Sequence, residues 1–260
     1  NLAEPPTPTE SRLPALYLKP HEERRLLAGH LWVFSNEINV AVSPLAGYSP
    51  GELVQLRSSR DRFLGYAYIN PRTLISARLL SRDPAWPPGL PLLRRRIETA
   101  LALRERLYRE PFYRLVFGES DLLPGLVVDR YGEVLVVQLG TAGMEALKEL
   151  ILEALVQVIA PRALQWRNDS PIRELEGLPL YVETAFGEVP DNVVIPEGGV
   201  RFRVPLASGQ KTGWYFDQAG NRAMLMQHVR NARVLDVFSY AGSFGLQAAR
   251  AGAAAVTCVD

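Results

Sequence analysis

Short runs in which hydrophobic and polar residues alternate, or in which β-branched and aromatic residues dominate, occupy the first third of the chain. GELVQLRSS, RFLGYAYIN and LISARLLS are such runs, and the turn-forming segments SRD and NPRT separate them. The preceding segment, PHEERRLLAGHLWVFSNEI, opens with an amphipathic helical turn and continues into an aromatic stretch. The pattern predicts a small β-rich domain over residues 15–83. Because SRDPAWPPGLP is dense in proline, we place a linker at residues 84–91.

The middle of the chain alternates between helical and strand periodicity. LLRRRIETALALRERLYRE places apolar residues at helical spacing and predicts a helix over residues 92–110, with arginines on its polar face. Strands are predicted within residues 113–139, around a Pro-Gly turn and a DRYGE hairpin turn. A second amphipathic helix is predicted at 145–160, and the segment ALQWRND after it is predicted to form a strand. These elements predict a central α+β domain over residues 92–185.

The last part of the chain, residues 186–260, has the order of a βαβ unit. Turns and a hairpin come first, and a helix is expected to begin near Gln218. The final stretch predicts a strand at 233–238, a loop at 239–242, a helix at 243–251 and a second strand at 254–259 that ends on an acid. The predicted fold class is therefore an α/β and β multi-domain protein whose last domain is the start of a Rossmann-like fold.

Composition narrows the functional classes. The 260 residues include one cysteine and three histidines, so we expect neither a disulfide framework nor a metal site. Residues 1–14 are rich in proline and contain no apolar core of a signal peptide, and we expect them to form a flexible tail. No run of about 18 apolar residues occurs. A soluble, cytoplasmic protein without membrane contact is the expectation, and the sequence leaves the oligomeric state open, with a homodimer as one option.

Charge is distributed unevenly along the chain. Residues 12–109 hold 16 Lys and Arg against 8 Asp and Glu, whereas the rest of the chain holds 13 against 20. Arginine supplies 26 of the 29 basic residues, and its planar guanidinium suits phosphate groups and base edges. The basic front is consistent with nucleic-acid binding, and equally with a general preference for arginine on a solvated surface.

The segment VLDVFSYAGSFG carries the chemistry of the last domain. A buried parallel strand, a tight glycine turn and a helix N-terminus together hold nucleotide-like ligands at the carboxyl edge of a sheet. Asp260 follows about 20 residues later, where an acid can accept hydrogen bonds from ribose hydroxyls. The turn lacks the first glycine of the dinucleotide fingerprint, which disfavours NAD and favours S-adenosylmethionine (SAM). Asp236 at the strand end could bind the SAM ammonium group. The alternative is a plain α/β domain whose strand ends on an acid.

Two motifs in the right order identify a resemblance to a family. GQKTGWYFDQAGNR followed by VLDVFSYAGSFGLQAARAGAAAVTCVD resembles the cofactor-binding half of the ribosomal RNA large-subunit cytosine-5 methyltransferases with an N-terminal PUA domain. LYLKPHEERRLLAGHLWVFSNEI is similar to the PUA opening of that family, so the resemblance covers residues 15–260. It implies that the β-rich front is a PUA-like β-barrel that binds RNA, and that SAM is the cofactor.

The resemblance also implies roles for individual residues. Arg222 would pair with the carboxylate of the cofactor, and Asp260 would hold its ribose. The other residues implied around the cofactor lie in the loop over it or in the glycine turn: Gln210, Lys211, Thr212, Phe216, Asp217, Phe238, Ser239, Tyr240, Gly242 and Ser243. The aromatic side chains of Trp214, Tyr215 and Phe216 are at least as typical of core packing. In the front domain, the candidates for phosphate contact are Lys19, Arg24, Arg25, Arg60, Arg62 and Arg72.

The reaction that the resemblance implies needs a residue that this sequence does not offer. Enzymes of this family attack carbon 6 of cytosine with a cysteine thiolate, which activates carbon 5 toward the methyl group. Cys258 lies inside a predicted strand and is expected to be a buried small hydrophobe, not a nucleophile. We therefore expect the catalytic cysteine beyond Asp260, and we expect this chain to be an incomplete methyltransferase that is inactive alone.

Two other functions are also compatible with the sequence. The first is an RNA-binding or ribosome-assembly module whose methyltransferase domain is vestigial. The second is a methyltransferase that acts on a small molecule or a protein, against which the basic front argues.

Overall fold

The computed structural model of the chain describes residues 13–206 and 212–260. Residues 1–12 of the predicted tail, and Gln210 and Lys211 of the predicted cofactor loop, lie outside the described residues. The described chain forms three consecutive structural units. Within these residues, no helix combines the length and the apolar character that crossing a membrane requires.

The first unit is a five-stranded sheet that curls toward a barrel. Its strands lie in the order β1, β3, β4, β5, β2, and a bridge between Leu18 and Ile38, just past the two edge strands, joins these edges. Leucine, isoleucine and valine side chains fill its interior. Its elements are β1 (Ala15–Tyr17), α1 (Arg24–Leu27), β2 (Trp32–Phe34), β3 (Glu52–Arg57), β4 (Phe63–Ile69) and β5 (Ile75–Ser81).

The second unit is a mixed five-stranded sheet with two helices packed on it. The strand order is β10, β9, β8, β7, β6; the β8–β9 pair is parallel and the other pairs are antiparallel. The elements are α2 (Leu90–Leu107), β6 (Phe112–Phe117), β7 (Leu126–Tyr131), β8 (Val134–Leu139), α3 (Ala142–Ala146), α4 (Lys148–Ile159), β9 (Ala163–Asn168), α5 (Ile172–Leu175) and β10 (Tyr181–Phe186).

The first two units share one hydrophobic core. Tyr68 and Leu80 of the first sheet pack into the same cluster as Trp86 and the inner faces of α2 and α4. The Tyr68 hydroxyl lies 2.8 Å from the Pro124 carbonyl oxygen, to which it donates, and 2.9 Å from the Thr141 hydroxyl. Trp86 lies within the segment predicted as a linker and is 5% exposed. The connection between the two units is therefore packed into their shared core.

The third unit contains a hairpin followed by a parallel βαβ unit. Its elements are β11 (Asn192–Glu197), β12 (Val200–Pro205), α6 (Ala219–Leu225), β13 (Arg233–Val237), α7 (Ser243–Arg250) and β14 (Ala255–Val259). Strands β13 and β14 pair in parallel, so that Asp236 lies opposite Cys258. This is the strand, turn, helix and strand order predicted from the sequence.

Three element boundaries differ from the predictions for local reasons. The first long helix ends at Leu107, because Tyr108 adopts an extended conformation that leads the chain into β6. The second long helix is interrupted at Leu147, whose ψ of 8° divides it into α3 and α4. Strand β13 ends before Phe238, whose φ of 60° is incompatible with a strand.

Candidate functional site

The candidate site lies at the carboxyl ends of β13 and β14. Between β13 and α7, the backbone has positive φ at Phe238, Tyr240 and Gly242. The Ser239 N–H donates to the Val259 carbonyl (3.1 Å), and the Gly242 N–H donates to the Ser239 carbonyl (2.7 Å). The chain reverses tightly at these positions before the helix begins, and at Gly242 the left-handed conformation carries no steric cost. The turn therefore leaves the N-terminus of α7 beside the ends of both strands.

Two carboxylates fix this turn. Asp236 at the end of β13 accepts a hydrogen bond from the Gly245 N–H (2.9 Å), and Asp260 after β14 accepts one from the Tyr240 N–H (2.9 Å). Both acids were selected from the sequence, and the structure brings them to the two sides of the glycine turn. Each contact uses one oxygen of its carboxylate, and Asp260 is exposed. The turn thus presents acceptor groups at the edge where a nucleoside would lie.

Gly245 sets the distance between α7 and the sheet. A Cβ atom at this position would lie 2.4 Å from the Cys258 sulfur and 3.2 Å from an Asp236 carboxylate oxygen. Such contacts are far shorter than a packed core permits, so the helix could not approach the strands with any larger residue. The absence of a side chain at Gly245 therefore allows α7 to pack closely against the strands next to the glycine turn.

Cys258 is not buried as the sequence predicted. Its sulfur lies next to Gly245 on the helix side, yet the residue is exposed. Among the described strands β14 pairs only with β13, so its outer edge is uncovered.

A further carboxylate near the site, which was not predicted from the sequence, connects several of its elements. Glu197, at the end of β11, accepts hydrogen bonds from Arg222 Nη2 (2.8 Å), Trp214 Nε1 (3.0 Å) and Gln247 Nε2 (2.9 Å), and Arg222 Nε also donates to it. Burial raises the pKa of Glu197, but these hydrogen bonds outweigh burial, so its pKa lies below the ordinary value. Glu197 thereby ties the loop before α6, α6 itself and α7 to the hairpin. In the sequence, the only feature that could have indicated this role is that the acid directly precedes a Gly-Gly turn.

Arg222 is engaged within the protein. Its side chain is 1% exposed, and besides Glu197 it donates to the Tyr215 carbonyl (3.0 Å) and lies over the Trp214 ring, 5.1 Å from its centroid. The resemblance implied a contact with the carboxylate of a cofactor. Two of its three guanidinium nitrogens bind Glu197 or the backbone and so position α6, and its contact with a cofactor carboxylate stays a prediction.

Side chains of the central sheet bind Thr212, a residue of the predicted cofactor loop. The Thr212 hydroxyl donates to Asp129, and the Tyr131 hydroxyl donates to the Thr212 carbonyl (3.1 Å). Arg114 binds the same Asp129 with two hydrogen bonds of 2.9 Å. Burial lowers the pKa of Arg114, but its bonds to Asp129 outweigh burial and raise the pKa above its ordinary value. Asp129 and Arg114 were not selected from the sequence, since they belong to a different unit from the motif.

The aromatic residues of the motif divide between core and site. Trp214 is 1% exposed and packs on Phe202, with ring centroids 4.8 Å apart, as the core interpretation predicts. Phe216 packs on Tyr131, while Tyr240 reaches the Gly213 carbonyl with its hydroxyl (3.2 Å). Asp217, Ser239 and Ser243 lie around the same turn and loop. Phe238 is 88% exposed at the tip of the turn.

The six basic residues proposed for phosphate contact are spread over the first unit. Arg60 and Arg62 lie on the turn that precedes β4, whereas Arg72 lies on the turn that follows it. Arg25 pairs with Glu37 (2.9 Å), which compensates its charge, and Lys19 donates to the Asn36 carbonyl (2.7 Å). Lys19, Arg24, Arg60, Arg62 and Arg72 are exposed. The contact of these residues with phosphate stays a prediction. No group of three or more metal-binding side chains occurs in the described part of the chain.

The first unit of the chain matches a known protein family. Residues 16–82 match the family described as a PUA-like domain. The chain is 39% identical over 249 residues to ribosomal RNA large subunit methyltransferase I of Shewanella frigidimarina, and 35% identical over 246 residues to that of Pseudoalteromonas atlantica. Each alignment covers 94% of this chain but 62% of the relative. The chain therefore spans less than two thirds of the length of these relatives.

Solved structures establish the fold. The chain superposes with a TM-score of 0.79 on a structure from Streptococcus mutans named as a SAM-dependent methyltransferase, and with 0.80 on one named as a methyltransferase complexed with SAH. Both are 24% identical and match 95% of this chain and 63% of theirs. The predicted fold class, a PUA-like β-barrel, a central α+β domain and a Rossmann-like methyltransferase domain that begins near the end of the chain, is confirmed.

Proposed function

Because 94% of the chain aligns with ribosomal RNA large subunit methyltransferase I, we propose that it is the RNA-binding and cofactor-binding part of a SAM-dependent RNA methyltransferase. The observation that carries the proposal is the pair of carboxylates, Asp236 and Asp260, on the two sides of the glycine turn at the carboxyl edge of β13 and β14. SAM supplies the methyl group when it is bound. The PUA-like unit supplies the contact with RNA.

The residues around the turn fit SAM better than a dinucleotide. A pyrophosphate needs close backbone approach over three glycines, whereas here Tyr240 occupies a position with φ of 49° and only Gly242 is a glycine in the turn itself. Asp260 uses one oxygen for the Tyr240 N–H, which leaves the other for a ribose hydroxyl. Phe238, Ser239 and Ser243 would line the nucleoside, and the SAM ammonium group would lie near Asp236. Asp217, Gln210 and Lys211 are proposed as loop contacts.

Arg222 and Thr212 have a supporting part in this proposal. Arg222 would position α6 through Glu197, and Thr212 would fix the start of the cofactor loop to the central sheet through Asp129. Arg222 is 1% exposed and Thr212 is 0% exposed, so both would act by positioning the backbone around the site. The names of the relatives support large-subunit ribosomal RNA as the substrate, whereas 5-methylcytosine as the product rests on the resemblance of the sequence motifs and the cytoplasm stays an expectation from the sequence. The catalytic cysteine would lie outside these 260 residues.

Two experiments test the proposal. Calorimetry of the chain with SAM should detect binding at a single site, and the absence of binding would favour an RNA-binding module without a cofactor. Deleting the gene that encodes the chain should remove one methylcytosine from large-subunit ribosomal RNA, as measured by mass spectrometry. An unchanged modification pattern would show that the substrate assignment is wrong.

A further inference from the structure

Three arginines line one cavity at the junction of the first two units. Arg82 follows β5, and Arg95 and Arg96 lie on α2. The rest of the lining of this cavity of about 230 Å³ consists of leucines, Trp86, Ser81 and Asp83. The sequence placed arginines on the polar face of this helix without giving them a role. Only the fold brings Arg82 to the same place as the other two.

These cations have no carboxylate partner among the described residues. The one acid that lines the cavity, Asp83, accepts the Ala85 N–H (2.9 Å) with its carboxylate. Arg82 donates to two backbone carbonyls, those of Leu26 (3.1 Å) and His30 (2.9 Å). By contrast, the neighbouring Arg94 is paired with Glu98 (3.4 Å). The cavity therefore holds three guanidinium groups against one carboxylate and carries an excess of positive charge.

The arrangement is costly for the protein alone. Burial, followed by the charges of Arg95 and Arg82, lowers the pKa of Arg96 below its ordinary value. The Arg96 Nε is buried without a hydrogen-bond partner in the described residues. The Arg95 guanidinium lies 4.4 Å from the centroid of the buried Trp86 ring, which holds it in place by a cation–π contact. Like charges held together without a counter-ion are destabilising unless an anion binds them.

We propose that the cavity formed by Arg82, Arg95 and Arg96 binds a backbone phosphate of the RNA substrate. The inference rests on the proposed function, since RNA is the polyanion that the chain is proposed to bind. Guanidinium groups suit phosphate because they donate several hydrogen bonds in a planar fork. The cavity lies beside the PUA-like unit, so a phosphate bound there would fix RNA across the junction of the two units.

The test compares RNA affinities of matched variants of the chain. Fluorescence anisotropy with a labelled RNA hairpin, repeated over a range of salt concentrations, measures both the affinity and its salt dependence. Arg96→Gln and Arg95→Gln should weaken binding about fivefold to tenfold and reduce the salt slope by about 1. Arg94→Gln removes the same charge one residue away, outside the cavity, and should change both quantities much less. Arg96→Lys keeps the charge but loses the planar fork, so it should keep the salt slope of the unmodified chain and lose less affinity than Arg96→Gln.

The outcomes separate this inference from the proposed function. If the unmodified chain binds RNA and Arg96→Gln binds as Arg94→Gln does, the cavity proposal is wrong and the function stands. If the unmodified chain does not bind RNA, both fail. Thermal unfolding in inorganic phosphate gives a second readout: phosphate should raise the melting temperature of the unmodified chain more than that of Arg96→Gln. A phosphate effect without any effect on RNA affinity would mean that the cavity takes free phosphate, which overturns the proposal.

Discussion

The hydroxyl group of Thr212 donates a hydrogen bond to the carboxylate of Asp129, which lies 83 positions earlier in the chain. This bond joins the segment before α6 to the central sheet. Asp129 stands directly opposite Arg114 on the neighbouring strand, and the two side chains form a bidentate ion pair. One buried carboxylate therefore couples a structural ion pair to the candidate site.

Replacing Asp129 with asparagine should destabilise the fold strongly. The substitution leaves Arg114 without its carboxylate in a largely buried position, which costs about 3 kcal/mol. Urea unfolding measures the loss. Thr212→Val is the matched control, because it removes only the hydroxyl and should cost about 1 kcal/mol. Equal losses in the two variants would mean that the ion pair contributes little.

Gly245→Ala should separate α7 from the sheet. Its Cβ would lie 2.4 Å from the Cys258 sulfur, and overpacking of this kind costs about 1–3 kcal/mol. Gly220→Ala in α6 is the control, since nothing lies within 4 Å of its Cβ position, and it should stabilise the chain by about 0.5–1 kcal/mol. Adding Cys258→Ala to Gly245→Ala should recover part of the loss. Thermal unfolding that fails to distinguish the two alanine variants would contradict the packing argument.

The ion pair of Glu197 should make stability depend on acid pH. Because the pKa of Glu197 in the fold is lowered from 4.5, its contribution is fully present above that value and is lost as the pH falls through the folded pKa. At neutral pH, Glu197→Gln should be about 3 kcal/mol less stable, because it leaves the buried Arg222 without a carboxylate.

The difference between the unmodified chain and Glu197→Gln should therefore shrink as the pH is lowered from about 5 toward 3. Chemical unfolding at several pH values gives the free energies for both proteins. A difference that stays constant across this range would exclude the ionised carboxylate as the source of the stabilisation.

Asp260→Asn should weaken SAM binding without unfolding the chain. Replacing the carboxylate that is proposed to hold the ribose removes a charge-assisted hydrogen bond worth about 1.5–3 kcal/mol, or at least about tenfold in affinity. Asp260 is exposed, so the melting temperature should hardly change. Asp191→Asn, at an exposed acid outside the glycine turn, is the control for calorimetry. An unaltered affinity in Asp260→Asn would place the ribose elsewhere.

The sequence alone determined the order of the elements and the position of the glycine turn. The alternation along β3 and the helical spacing of α2 reflect which side chains are buried, whereas β4 and β5 are buried at almost every position. Such patterns are local features of the sequence. The turn and Asp260 could be found because their spacing follows directly from one strand, one helix and the next strand. The interruption of the helix at Leu147 could not be predicted from the sequence, because helical periodicity continues through it.

Tertiary structure alone decided which charged groups meet. Glu197 reaches Arg222, Asp129 reaches Thr212, and Arg82 joins Arg95 and Arg96 only because separate elements pack against one another. It also decided that Cys258 is exposed, since burial of a strand residue depends on the neighbours that cover its sheet. Hydrophobic periodicity encodes which face of an element is covered, but the partners of a polar side chain depend on the relative placement of elements that lie far apart in the sequence.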